Sequence, residues 1–317
     1  MIALFLHGIT LTLACFLAIN LLLSAFVVVI ARRERRSNSP AFWFGLRLLP
    51  AVSAAAFAAI VFAPSYWRYE PRDFVEGFDV SLSALAAVAL VVLGAGAVRG
   101  IAAWRRAKRR SRLWMRTACP VDLGTARVPA FAVEASAPIM ALVGVWRPRL
   151  LVTRGLLDAL TEQELAASVA HELGHFRAWD NLKRLAMGAA PDLLTGTGIA
   201  RAIERRWAST AELAADRLCG AETPAVRCAL ASALVKVARL TPPPPAPAEP
   251  ISTLVGGGEI AARVQILLDD RADPPVCRRR PLPWLAAAIA LGAFVTAYGP
   301  LLRTVHEVTE VLVRVLP

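Results

Sequence analysis

Two histidines four residues apart flank a glutamate in His171-Glu172-Leu173-Gly174-His175. In a helix, side chains at i and i+4 lie one above the other on a single face, so both imidazoles can reach one ion. Glu172 sits about 100° further around the helix and can contact a water held there. Zinc accepts imidazole nitrogen and carboxylate oxygen in near-tetrahedral geometry, and a hydrolytic site keeps three protein ligands with the fourth position left to water. The ion brings that water's pKa toward neutrality, and Glu172 takes its proton as it attacks a carbonyl carbon. The chain has four histidines. The two outside this motif, His7 and His306, belong at or beyond the outer face of apolar segments described below.

The third ligand must be found elsewhere. An extended H-x-x-x-H-x-x-G-x-x-H arrangement needs glycine at 178 and histidine at 181, where the chain has Ala178 and Asn181. With no further histidine in the central region, an acidic ligand is required. Glu212 lies in Thr210-Ala-Glu-Leu-Ala-Ala-Asp-Arg217, with Asp216 one helical turn on. A glutamate followed by aspartate at i+4 is the arrangement in which the first binds zinc and the second orients a ligand imidazole. Asp180, five residues after His175, is either a second such acceptor or a helix cap. The donor that stabilises an oxyanion is open: Tyr66, Tyr69 and Tyr298 are the only tyrosines and fall on the outer side. Arg217, Asn181 or a backbone N–H remains.

These residues need rigid elements to hold them. Thr161-Glu162-Gln163-Glu164 is a capping box that opens a helix running to about Ala178. Its Leu165, Val169, Leu173 and Phe176 form an apolar stripe that faces a core and leaves the histidines to line a cleft. Further helices are expected near Ile199–Cys219 and Pro224–Leu240, with an amphipathic piece at Glu259–Leu268. Residues 241–250, rich in proline, read as an extended spacer. Before the capping box the pattern is of short strands: Arg127–Val133, Ile139–Val143 and Leu150–Thr153. Ile139–Val143 either offers an edge to an extended peptide or is an ordinary interior strand.

Composition sets the solvent. Of 317 residues 56% are hydrophobic and 19% charged, and the mean hydropathy is +0.52. Soluble domains carry about a quarter charged residues, so a membrane must be considered. The net charge of +12 does not mark a nucleic-acid site, because its excess is confined to three short segments. Arg32–Arg47 carries five basic residues and one acidic, Arg99–Arg116 eight and none, and Arg278–Arg280 three. All flank apolar runs, at about 2–31, 42–63, 80–103 and Pro283–Leu302, each long enough to span a bilayer. Pro64–Asp79 has two basic residues against four acidic. By the positive-inside rule both termini lie outside, and the region between about Trp104 and Pro281 is cytoplasmic. Charged residues around the histidine motif place it beside the inner leaflet rather than within lipid. Five scattered cysteines without a C-x-x-C pair argue against a disulfide framework.

The chain resembles the BlaR/MecR-type integral-membrane zinc metallopeptidases. The resemblance rests on Arg147-Pro-Arg-Leu-Leu-Val-Thr-Arg-Gly155, Leu160-Thr-Glu-Gln-Glu-Leu165, the His171–His175 motif with Asp180, and Glu212 with Asp216, together with three spans before the central domain and one after. It implies an α-helical membrane protein of four transmembrane helices with a cytoplasmic α+β gluzincin-type domain. The divisions would be 1–103 for three spans, 104–281 for the peptidase domain, and 282–317 for the fourth span and outer tail. It further implies one zinc per chain held by His171, His175 and Glu212, Glu172 as general base, and a location in the inner membrane. The expected partners are the bilayer and a protein substrate, typically a transcriptional repressor, with no nucleic acid. Family members that sense β-lactams carry an outer penicillin-binding domain, whereas only Arg303–Pro317 is expected outside and no S-x-x-K occurs. Acylation by an antibiotic is therefore not the expected input. Two other readings are an HtpX-like membrane quality-control protease, although that kind places two spans before its catalytic domain, and an idle receptor that binds a partner.

Overall fold

A computed structural model describes residues 2–34, 37–70, 80–125, 128–135, 137–220, 223–240, 260–269 and 282–315. The proline-rich spacer at 241–250 lies outside the described residues.

Apolar sequence without interior charge becomes long helix. α1 spans Ile2–Arg33, α2 spans Pro40–Phe57 and continues through a π turn (Ala58–Phe62) into α3 (Ala63–Tyr69), and α4 spans Val80–Trp114. Ser39 caps α2 by accepting a hydrogen bond from Phe42 N–H, with Pro40 in the first turn. Among the described residues three helices are long and apolar enough to cross a membrane, Leu4–Arg33, Pro40–Tyr69 and Val80–Trp114. These apolar helices support a membrane association. The fourth expected run falls within α11 (Leu282–Val315), whose side chains up to residue 292 lie outside the described residues. α4 extends eleven residues beyond the expected end at 103, because Arg105–Arg112 are good helix formers that need no lipid.

The central region folds as α+β. β1 (Cys119–Val121), β2 (Ala130–Val133), β3 (Met140–Val143) and β4 (Arg149–Thr153) form one sheet in the order β1-β2-β4-β3. β2 and β4 are parallel and the outer pairings antiparallel, which puts β3 at an edge. The short α5 (Arg154–Ala159) leads to α6 (Glu162–Arg177), then α7 (Asp180–Ala189), α8 (Gly198–Gly220), α9 (Pro224–Leu240) and α10 (Ile260–Leu268). The capping box at Thr161 is complete: its hydroxyl accepts from Glu164 N–H, and the Glu164 carboxylate accepts from Thr161 N–H at 2.8 Å. Leu150, Val152, Leu156, Val169, Leu230 and Leu234 are at the centre of one core that joins the sheet to α6 and α9. Leu165, Leu173 and Phe176 pack against it, as the stripe requires.

The central region also packs directly against the apolar helices at one place. The connection between α7 and α8, including a 3-10 turn at Leu193–Gly196, enters the helical bundle. Leu193 packs beside Phe16, Leu17 and Ala54, and Leu194 beside Val27, Trp43 and Leu46. Irregular backbone buried among apolar side chains must be satisfied by protein groups. Asn20 does so from α1, donating to Pro191 O at 3.0 Å and accepting from Leu193 N–H at 3.3 Å. Arg99 on α4 donates to Ala190 O at 2.9 Å. Arg47, counted in the sequence among loop charges, is instead buried within α2. It pairs with Asp192 and with Glu204 at 2.8 Å, and donates to Met187 O at 3.0 Å. Gly96 and Gly100 let α4 approach: a Cβ on Gly96 would lie 2.8 Å from Ala189 O.

Candidate active site

α6 presents His171 and His175 on one face, and both are buried. Their Nε2 atoms are 3.2 Å apart. α8 crosses α6 where Gly174 has no side chain, and a Cβ there would touch Ala215 at 3.4 Å. That crossing carries Glu212 to the histidines: Oε2 lies 3.4 Å from His171 Nε2 and Oε1 3.5 Å from His175 Nε2. A tetrahedral zinc ion with bonds of 2.0–2.2 Å requires ligand–ligand edges of about 3.3 Å. The three groups could therefore hold one divalent ion.

Each imidazole is backed by a carboxylate on its other nitrogen. Asp180 Oδ2 is 2.7 Å from His175 Nδ1, and Asp216 Oδ1 is 2.9 Å from His171 Nδ1. The Asp180 hydrogen bond fixes the His175 ring, and the Asp216 carboxylate approaches His171 Nδ1 as an ion pair, in the places from which such carboxylates orient ligand imidazoles. Asp180 reaches His175 because Trp179, at φ 58, bends the chain between α6 and α7 in the left-handed region. Non-glycine residues occupy that region at a cost.

The charges respond to this crowding. Burial alone would push His175 down, but Asp180 and Glu212 outweigh it and bring its pKa up to about 10. For His171, burial is outweighed by Asp216 and Glu212, again upward. Burial opposes ionisation of Glu212, yet bonds from both histidines hold it well below the ordinary carboxylate range. This cluster of anions therefore holds protons on its histidines, and a dication would displace them. Glu172, also buried, is pushed up by desolvation, and its Oε2 accepts from Leu142 N–H on β3 at 3.1 Å.

The two proposed oxyanion donors fare differently. Arg217 is exposed, about 100° around α8 from Asp216, and does not join the cluster. Asn181 is near, but its amide is committed to Leu142 O and Gly144 O, both at 2.9 Å. Two other arginines stand at the site instead. Arg263 on α10, 4% exposed, donates from Nε and Nη2 to Asp216 at 2.7 Å each, and its Nη1 lies 3.0 Å from Glu212 Oε2. It was legible as the one charge on the Ile260, Arg263, Leu267 face of an otherwise apolar helix. Arg184 on α7 stacks over Trp207 at 5.0 Å, and its Nε is buried without a hydrogen-bond partner. Arg184 and Asn181 line a groove between α4 and β3, with Trp104, Arg110, Trp114 and Val143 on its walls.

Residues 105–240 match peptidase family M48. This stretch, under half of the chain, carries the sheet, the histidine motif and Glu212, and its likeness is to a family of zinc-dependent metallopeptidases. No curated protein matches the chain.

Proposed function

We propose that the chain is a membrane-anchored zinc endopeptidase in which His171, His175 and Glu212 hold the ion. The single observation that carries this reading is the convergence of both imidazole Nε2 atoms, 3.2 Å apart, on the two oxygens of one Glu212 carboxylate at 3.4 and 3.5 Å, with a buried aspartate behind each ring. When bound, the ion supplies a Lewis acid that polarises a peptide carbonyl and acidifies water. Glu172 receives the proton: burial has already pushed its carboxyl toward the pKa at which a base both accepts and returns one. Asp180 and Asp216 keep the imidazoles oriented throughout. Arg184, a cation at the groove wall with a free Nε, is the residue we assign to developing negative charge.

An extended substrate segment would lie along β3, the edge of the sheet, in the groove beside α4. That groove begins where the third apolar run ends, so the scissile segment belongs to a cytoplasmic or membrane-proximal protein. The resemblance to BlaR/MecR-type enzymes points to regulated cleavage of a transcriptional repressor as the physiological reaction. The groove's tryptophans and arginines, at the membrane end of the domain, favour a second reading, general turnover of membrane proteins of the HtpX-like kind. Both keep the division into membrane helices (1–103), peptidase domain (104–281) and a final span with its tail outside, and both place the domain on the cytoplasmic side of the inner membrane. Substrate trapping with Glu172→Gln in cells decides between them. One accumulating cytoplasmic repressor supports regulated signalling, and many accumulating membrane proteins support turnover. No accumulating protein in that variant, with metal retained, contradicts the peptidase assignment.

A further inference from the structure

Both remaining histidines lie at the other end of the bundle. His306 and Glu310, one helical turn apart on α11, share a face, and Glu70, which ends α3, comes against it. One ligand atom from each of these three residues falls within 4.8 Å of the others. His306 Nδ1 is 3.9 Å from Glu70 Oε2. That is too long for a hydrogen bond and about 0.6 Å longer than the edge of about 3.3 Å that a tetrahedral ion with bonds of 2.0–2.2 Å spans, a gap that an ion would draw closed.

The arrangement is held from outside. Ser65 donates to Leu302 O at 2.5 Å and Tyr298 to Ile60 O at 2.7 Å, which fixes α11 against α3 and the π turn. Tyr69 stacks on the His306 ring at 5.9 Å between centroids and an angle of 28°. Glu70, His306 and Glu310 line one small cavity with His7 of α1, and its free volume of ≈ 10 Å³ suits an ion or a water and no organic ligand. Its donors are imidazole nitrogen and carboxylate oxygen. Hard ions such as calcium and magnesium take oxygen ligands, whereas zinc and similar borderline ions take this mixed set.

We propose that Glu70, His306 and Glu310 form a second divalent-metal site, of zinc class, separate from the peptidase site. Twenty residues of α1 separate His7 from Val27, which packs in one cluster with Trp207 and Ala211 beside Glu212. At 1.5 Å per residue that is about 30 Å, one hydrocarbon thickness. The second ion would clamp α11 to α3 on the side of the membrane opposite the active site, and the chain would hold two ions rather than the expected one.

The test is the zinc stoichiometry of the full chain purified in detergent, with Zn²⁺ alone as probe. Glu310→Gln, which preserves shape, and His306→Ala should each bind one ion fewer than wild type, with helical circular dichroism unchanged. The His171→Ala/His175→Ala variant should still bind one ion that is lost on adding His306→Ala. This arm separates the proposal from the peptidase reading, because it holds whether or not the active site binds zinc. Equal stoichiometry in wild type, Glu310→Gln and His306→Ala overturns the proposal, as does a His171→Ala/His175→Ala protein that binds none.

Discussion

Among the described residues two clusters combine histidine with glutamate, and they are built differently. At the end of α1 near Val27, the Nε2 atoms of His171 and His175 are 3.2 Å apart, each has a Glu212 oxygen within 3.5 Å, and a buried aspartate stands behind each ring. Near His7, the nearest approach of His306 to Glu70 is 3.9 Å, both side chains are partly exposed, and an aromatic ring rather than a carboxylate orients the imidazole. The difference teaches what a catalytic site requires beyond ligands. Among the described residues, only the first cluster has beside it a buried carboxylate, Glu172, that is not one of the candidate ligands. The second can bind an ion and do nothing to a substrate.

The sharpest way to break this comparison is Glu172→Gln. Cleavage should fall by about 10²–10⁴-fold, while zinc content at both clusters stays as in wild type, measured by peptide hydrolysis and metal analysis of the same preparation. Next is the connection between α7 and α8, which Arg47 anchors. Arg47→Ala leaves Asp192 buried without its partner and should cost about 3–5 kcal/mol, seen as early proteolysis around residues 187–200 with binding at the second cluster intact. Asp216→Asn should weaken zinc at the first cluster by about 10–100-fold and leave the second unchanged, measured by competition with a chelator.

Acidity separates the clusters further. In the metal-free protein the raised His175 pKa, about 10, means that the His175–Asp180 pair stabilises the fold fully below pH 6.5, and that this contribution fades as pH climbs through about 10. Zinc must displace that proton, so its affinity at the first cluster should rise by about tenfold per pH unit between pH 7 and 9 for each proton released. Proton release on zinc binding, followed with an indicator dye, checks this. The smallest effect is expected from Thr161→Ala, which removes the cap of α6 and should cost about 1 kcal/mol without altering metal stoichiometry.

Much of the first cluster could be read from sequence because its determinants are local. The capping box fixed the start of α6 to the residue, and helical spacing put His171 and His175 on one face. Glu212 followed because no histidine remained. Asp180 stayed ambiguous, since its contact with His175 depends on the left-handed turn at Trp179, which no pattern in Phe176-Arg-Ala-Trp179 announces. Arg217 looked suitable by proximity in sequence, yet helix rotation turns it to solvent. β1 was missed because Pro120 interrupts a three-residue strand. The entry of 187–197 into the bundle was invisible for another reason: Asn20, Arg47 and Arg99, which satisfy its backbone, are 89 to 173 residues away in the chain. Arg47 therefore read as one more basic residue beside a span, when it is the anchor of the connection between α7 and α8.

The most direct test is the zinc X-ray absorption spectrum of the Glu310→Gln/His306→Ala protein loaded with one ion. The account predicts two imidazole nitrogens and a carboxylate oxygen at about 2.0–2.2 Å, with one further light ligand. Fewer than two imidazoles, or sulfur scattering at about 2.3 Å, would contradict it.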